Sequence, residues 1–113
     1  MAQKFEDITE ACEDFILSIR ESRYYDAHED LEHVWHPRRF EEEDEVKLWK
    51  GFINAAVCFE LIKRGRYEAS LRVWQTYLKY KPFLDTCVAP NKELYVTIVQ
   101  TIEQQRGALC PSS

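Results

Sequence analysis

Glycine and proline are scarce, three and four among 113 residues. That excludes collagen-like and low-complexity chains and leaves few places where a strand-rich fold could turn. No uninterrupted apolar run approaches eighteen residues, so no segment reads as a membrane-spanning helix. Four cysteines (Cys12, Cys58, Cys87 and Cys110) form no CxxC pair, and Cys12 and Cys58 fall within apolar helical patterns where a free thiol acts as a small hydrophobe. Basic charge is also short. Fifteen Lys and Arg against twenty Asp and Glu give a net charge of −5, and the run "PRR" is followed at once by "FEEEDE". Such a chain repels phosphate backbones, so nucleic acid is not an expected partner. The opening "MAQKFEDITEACEDF" has no basic stretch followed by an apolar run, so no secretory signal is expected and the chain reads as cytoplasmic with reduced thiols.

What is present is 45% hydrophobic, 13% aromatic and 31% charged residues, a globular and helix-leaning profile. A chain of this length is one domain and buries roughly two thirds of its extended surface. The pattern predicts five helices and no strand. The first covers about 4–20, with Phe5, Ile8, Cys12, Phe15, Ile16 and Ile19 at three- and four-residue steps. Ser22 is the expected N-cap of a second, whose apolar face is Tyr24, Ala27, Leu31, Val34 and Trp35, and which Pro37 ends. A third covers about 42–63, acidic in its first turn and apolar nearly all round, as befits a central helix. Gly65 is its expected C-cap. A fourth, 67–80, carries Tyr67, Leu71, Trp74 and Leu78; "FLDTCVAP" then reads as a connector. Asn91 opens a fifth helix with Leu94, Tyr95, Ile98, Val99 and Ile102 inward. The domain is expected to span 1–106, and "GALCPSS" from Gly107 to be a disordered tail.

Two segments, "YDAHEDLEHVW" from Tyr25 and "YEASLRVWQTY" from Tyr67, echo each other at a spacing of 42 residues. "GRYEASLRVWQTYLKYKP" resembles a tetratricopeptide unit in its turn glycine, the small residues after it and its closing proline. With one good unit and one degraded one, the expected fold is all-α: two tetratricopeptide-like hairpins and a closing helix in a compact bundle. In the 42-residue register His28 stands where the second unit has Ser70, and Glu32 where it has Trp74. A base and an acid would then occupy inter-helix positions and need partners.

All three histidines fall within "YYDAHEDLEHVWHP", residues 24–37. His28 and Glu32 are i, i+4 neighbours, as are Glu29 and His33, and Glu32 and His36. Three readings stay open. His28, Glu32 and His36 have the residue types of metal ligands, but the second histidine of an HExxH site is missing. Glu32 orienting His28 would suit acid–base chemistry, though no nucleophile or oxyanion hole is recognisable. A buried His–Glu bond joined by Asn54 would serve packing alone. Arg38 and Arg39 are a candidate anion clasp near the mouth of the cluster.

"RYYDAHEDLEHVW" and "KGFINAAVCFELIKRGRYEAS" resemble the small prokaryotic proteins grouped as domain-of-unknown-function family 309, with His28-Glu29, Trp35 and Gly51 as the most specific part. The resemblance covers roughly 20–80 and implies an all-α cytosolic protein without implying an activity. It places the family's polar constellation on His28, Glu29, Glu32, Trp35 and Asn54. Asn54, Arg66 and Leu61 depart from the glutamine, asparagine and histidine usual there. The expectation is a binding or interaction module with a pocket at these five residues, for a protein or small-molecule ligand. The alternative is a metal-assisted or His–Glu acid–base hydrolase. No cofactor is expected, a divalent metal being the exception, and monomer and homodimer both stay open.

Overall fold

The computed structural model describes residues 8–110, so Phe5 and the other expected helical residues before Ile8 lie outside it. The described chain is all-α. Five long helices and a one-turn helix follow in the order α1 (Ile8–Arg20), α2 (Tyr24–Trp35), α3 (Asp44–Lys63), α4 (Tyr67–Tyr80), α5 (Phe83–Thr86) and α6 (Lys92–Leu109). A single 3-10 turn, His36–Arg38, carries Pro37 out of α2. The radius of gyration, 13.5 Å, is that of a compact domain of this length, about 13 Å by size scaling. No helix among the described residues is long and apolar enough to cross a membrane.

Helices α1 and α2 form one hairpin and α3 and α4 a second. Helix α3, buried over most of its circumference, packs against α2, α4, α5 and α6, and leaves the row Lys47, Lys50, Asn54, Val57 and Leu61 partly open. Helix α6 returns across α1 and α3, burying Tyr95, Ile98, Val99 and Ile102. Asn91 stands at the N-cap of α6 as expected, but its side chain makes no capping bond and accepts a hydrogen bond from Thr9 on α1 at 2.9 Å. A buried polar link joins α3 to α6, with Trp49 Nε1 donating to Tyr95 Oη at 3.0 Å and Tyr95 donating in turn to Glu45. Burial and the Glu45 carboxylate hold the Tyr95 hydroxyl far above its ordinary pKa, so it stays a donor.

The two hairpin turns are the same structure. In the first, Arg23 N–H donates to Ser18 O at 2.8 Å and Ser22 N–H to Ile19 O at 3.1 Å. In the second, Arg66 N–H donates to Leu61 O at 2.8 Å and Gly65 N–H to Ile62 O at 3.0 Å. Both are Schellman closures, with Ser22 (φ 60°) and Gly65 (φ 78°) in the left-handed region. Ser22 is therefore the left-handed residue closing α1, and the cap of α2 is Arg23. The structural repeat runs from Ser22 to Gly65 and from Arg23 to Arg66, a spacing of 43 and not 42. One residue of register changes every pairing. Buried Ala27 corresponds to buried Ser70, while His28 corresponds to exposed Leu71 and Glu32 to exposed Gln75. His28 and Glu32 thus hold outward-facing positions, and the pair does not replace packing residues.

Three further expectations change. The buried stripe of α4 is Ser70 and Tyr77, with Trp74 half-buried and Tyr67, Leu71 and Leu78 exposed. The turn sets the helix's rotation so that small Ser70 meets α3, which carries the 67/71/78 row outward. Residues Phe83–Thr86 of the connector form the one-turn α5, with Phe83 and Leu84 against the core. Helix α6 continues through Gly107 to Leu109, which packs on the core, so the expected tail is helical up to that point, and its residues 111–113 lie outside the described ones.

A left-handed non-glycine residue costs roughly 1–2 kcal/mol. Ser22→Gly should therefore stabilise the fold by about 1 kcal/mol, raising the thermal midpoint by roughly 4 °C. Gly65→Ala should lower it comparably. Thermal unfolding followed by circular dichroism reads both; an unchanged midpoint in Ser22→Gly would mean that the Ser22 bond from the Tyr24 hydroxyl (3.3 Å) offsets the strain.

Candidate functional site

The i, i+4 spacing of His28 and Glu32 on α2 brings their side chains together, with Nε2 to Oε1 at 2.6 Å. Tyr25, three residues before His28, lays its ring 5.6 Å from the imidazole on the same face. The His28 side chain is 25% exposed and Glu32 39%, so this is a partly open pair and not a sealed packing bond.

The rest of the sequence-derived constellation does not assemble around it. Asn54 turns back onto its own helix, Nδ2 donating to Lys50 O at 2.8 Å. The side chain of Glu29 is exposed. Trp35 is nearly two helical turns beyond His28 and lines a different hollow, of about 190 Å³, with Arg39, Phe40, Lys47, Lys50 and Tyr80. His36 is exposed and bonded to Arg39 at 3.1 Å, away from Glu32. Arg38 is taken by Glu41 and Glu43, each at 2.9 Å, and lies over the Trp49 ring, while Arg39 bonds to His36, so both arms of the candidate Arg38–Arg39 clasp are engaged within the chain. Among the described residues no three His, Cys, Asp or Glu side chains are grouped to hold a metal ion.

His28 instead opens onto a groove of about 210 Å³ between the first half of α2, the second half of α3 and the turn into α4. Tyr24, Tyr25, Val57 and Leu61 provide an apolar lining; Glu60, Arg64 and Arg66 complete it with His28. The groove forms because Val57, Glu60, Leu61 and Arg64 recur at three- and four-residue steps on a face of α3 that α2 only partly covers. Its floor is held from below. Tyr24 contacts the buried Phe59 ring at 5.5 Å, and its hydroxyl accepts from Gln105 on α6. Glu60 and Arg64 pair at 2.7 Å. Leu61 and Arg66, two of the three departures from the family pattern, both line this groove, whereas Asn54 does not. Val57, Glu60 and Arg64 were invisible as site residues because the third helix reads as core all round. Their signal was the i, i+3, i+4, i+7 spacing that ends in a charged pair.

Chemically, the lining offers an imidazole backed by a carboxylate, two aromatic rings and two guanidinium groups. It contains no serine, threonine or cysteine. The buried thiols do not supply a nucleophile either, since burial pushes Cys58 up to about 11 and raises Cys87. None of the four cysteines is in a disulfide, and Cys110 alone is partly exposed.

The family model described as Domain of unknown function (DUF309) matches residues 12–73, a span that contains every residue lining the groove. No curated protein and no solved structure matches the chain.

Proposed function

The chain belongs to the Domain of unknown function (DUF309) family, whose description assigns no activity, and on that premise we propose that it is a small helical binding module holding a small-molecule ligand in the groove beside His28. The observation that carries this reading is the placement of His28. A histidine kept only for packing would be buried and sealed, whereas this one is a quarter exposed at the wall of a mainly apolar cavity. Aromatic and aliphatic walls supply affinity, and a few fixed polar groups supply orientation. The acidic balance of the chain disfavours nucleic acid, and a cytoplasmic setting suits four cysteines without a disulfide.

The 2.6 Å His28–Glu32 pair favours one second reading, an acid–base hydrolase in which the imidazole activates water. The groove would have to draw its nucleophile from solvent, and a divalent metal would need ligands from the substrate. Binding without turnover is the simpler use of this lining.

The test is a fragment screen on ¹⁵N-labelled protein, repeated on Leu61→Trp. Leu61 is half-buried and faces the groove, so the larger ring enters the cavity without displacing core. Compounds that shift the resonances of Tyr25, His28 and Leu61 should bind Leu61→Trp at least about tenfold more weakly, equivalent to 1.4 kcal/mol. His28→Ala should weaken them also. Compounds that bind only elsewhere, or bind Leu61→Trp equally well, would overturn the proposal. Hydrolysis of a bound ester, lost in His28→Ala, would replace it with the hydrolase reading.

A further inference from the structure

The charged groups of the groove are unequally satisfied. Glu60 is paired with Arg64 at 2.7 Å, and His28 with Glu32 at 2.6 Å. Arg66 lines the same cavity and its guanidinium has no acidic partner among the described residues, although acids outnumber Lys and Arg by twenty to fifteen in the chain. Its backbone is fixed: the N–H closes the hairpin turn onto Leu61 O at 2.8 Å, and the carbonyl accepts from Ser70 N–H at 3.1 Å. The side chain therefore starts from a rigid point at the edge of an apolar cavity.

We infer that the groove's ligand is a small amphipathic carboxylate, with its apolar body between Tyr24, Tyr25, Val57 and Leu61 and its carboxylate on Arg66. This rests on the groove being the binding site. A planar guanidinium presents two parallel N–H donors to a carboxylate, a geometry worth roughly twice a neutral hydrogen bond. The apolar lining excludes a fully polar anion such as free phosphate, which would leave those walls wet. A cavity of about 210 Å³ lies below the drug-sized range that begins near 300 Å³, so the body is a single ring or a short branched chain. The charges of the lining agree in sign, since Arg64 and Arg66 stand against a single acid. The one acid lining it, Glu60, is already paired with Arg64.

The experiment titrates the ¹⁵N-labelled protein with 3-phenylpropionate and with its neutral amide, in wild type, Arg66→Gln and Arg66→Lys. Expected is binding of the acid at least about tenfold tighter than the amide, a difference that falls to within about twofold in Arg66→Gln while amide affinity stays the same. Arg66→Lys, which keeps the charge without the fork, should retain part of the preference. Inorganic phosphate should not shift the groove resonances. Equal binding of acid and amide at the groove would sink the carboxylate inference and leave the binding site standing. Preference for the acid that persists in Arg66→Gln would sink it too. If neither probe nor any screened compound reaches the groove, the site itself fails.

Discussion

Phe59→Ala should lower the unfolding free energy by about 3–5 kcal/mol, read as a fall in the urea midpoint with an unchanged slope. Phe59 is fully buried on α3, and its ring touches Tyr24 of α2 at 5.5 Å and Trp74 of α4 at 6.1 Å. One side chain therefore joins the two hairpins across the central helix. Removing it opens a cavity that three helices would have to collapse into together, and each is already fixed by its turn. The loss is a large part of the roughly 5–15 kcal/mol that a domain of this kind has in total. Exposed apolar residues give the contrast: Val88→Ala should change stability by no more than about 0.5 kcal/mol. A loss below about 1 kcal/mol in Phe59→Ala would mean that the hairpins are held together elsewhere. Because Tyr24 floors the groove, the same variant should also weaken groove ligands.

The fold was legible in the sequence because its helices carry their own punctuation. Gly65 stops α3, Pro37 and Pro82 follow α2 and α4, and the apolar rows of α1, α2 and α6 have the helical period. What the pattern could not carry is rotation. Tyr25 and Tyr67 align by identity, yet the chain aligns by its left-handed residues, and serine at position 22 hides what glycine announces at position 65. The resulting slip of one residue assigned His28 and Glu32 to packing positions, while the spacing of Tyr67, Leu71, Trp74 and Leu78 by itself made their row look like the inner face of α4. The candidate site was legible only where it is local. His28 and Glu32 meet because they are four apart on one helix. Trp35 shares their helix but not their place along the bundle, and Asn54 had a backbone acceptor of its own. The α3 half of the groove stayed hidden because half-buried Val57 and Leu61 are indistinguishable, by residue type, from the fully buried Ala56 and Phe59 beside them.

At Gly51 two effects of opposite sign compete, and the size of the side chain decides between them. A Cβ there would sit 2.9 Å from the Cβ of Tyr80 and 3.7 Å from the Tyr77 carbonyl oxygen. Tyr80 Cβ is anchored directly to the backbone, so it cannot swing away as a long side chain would; the last turn of α4 has to move. That turn leads into α5, where the Tyr80 and Phe83 rings stack at 6.1 Å, and Tyr77 donates to Glu103 of α6 at 3.1 Å. Alanine gains about 1 kcal/mol of helix propensity over glycine, against an overpacking penalty of about 1–3 kcal/mol. Gly51→Ala should therefore lose only about 1 kcal/mol net. Gly51→Val adds two methyl groups to the same contact and recovers less propensity, so it should lose about 3 kcal/mol or more. The measurement is the pair of urea midpoints, together with the affinity of one groove ligand. Gly51 lies more than a turn before Val57 on α3 and does not line the groove, so affinity should stay within about twofold in Gly51→Ala while stability falls. A valine variant as stable as wild type would show that α4 is free to slide on α3, and the close contact at Ser70 and Gly51 would then not be what sets the second hairpin.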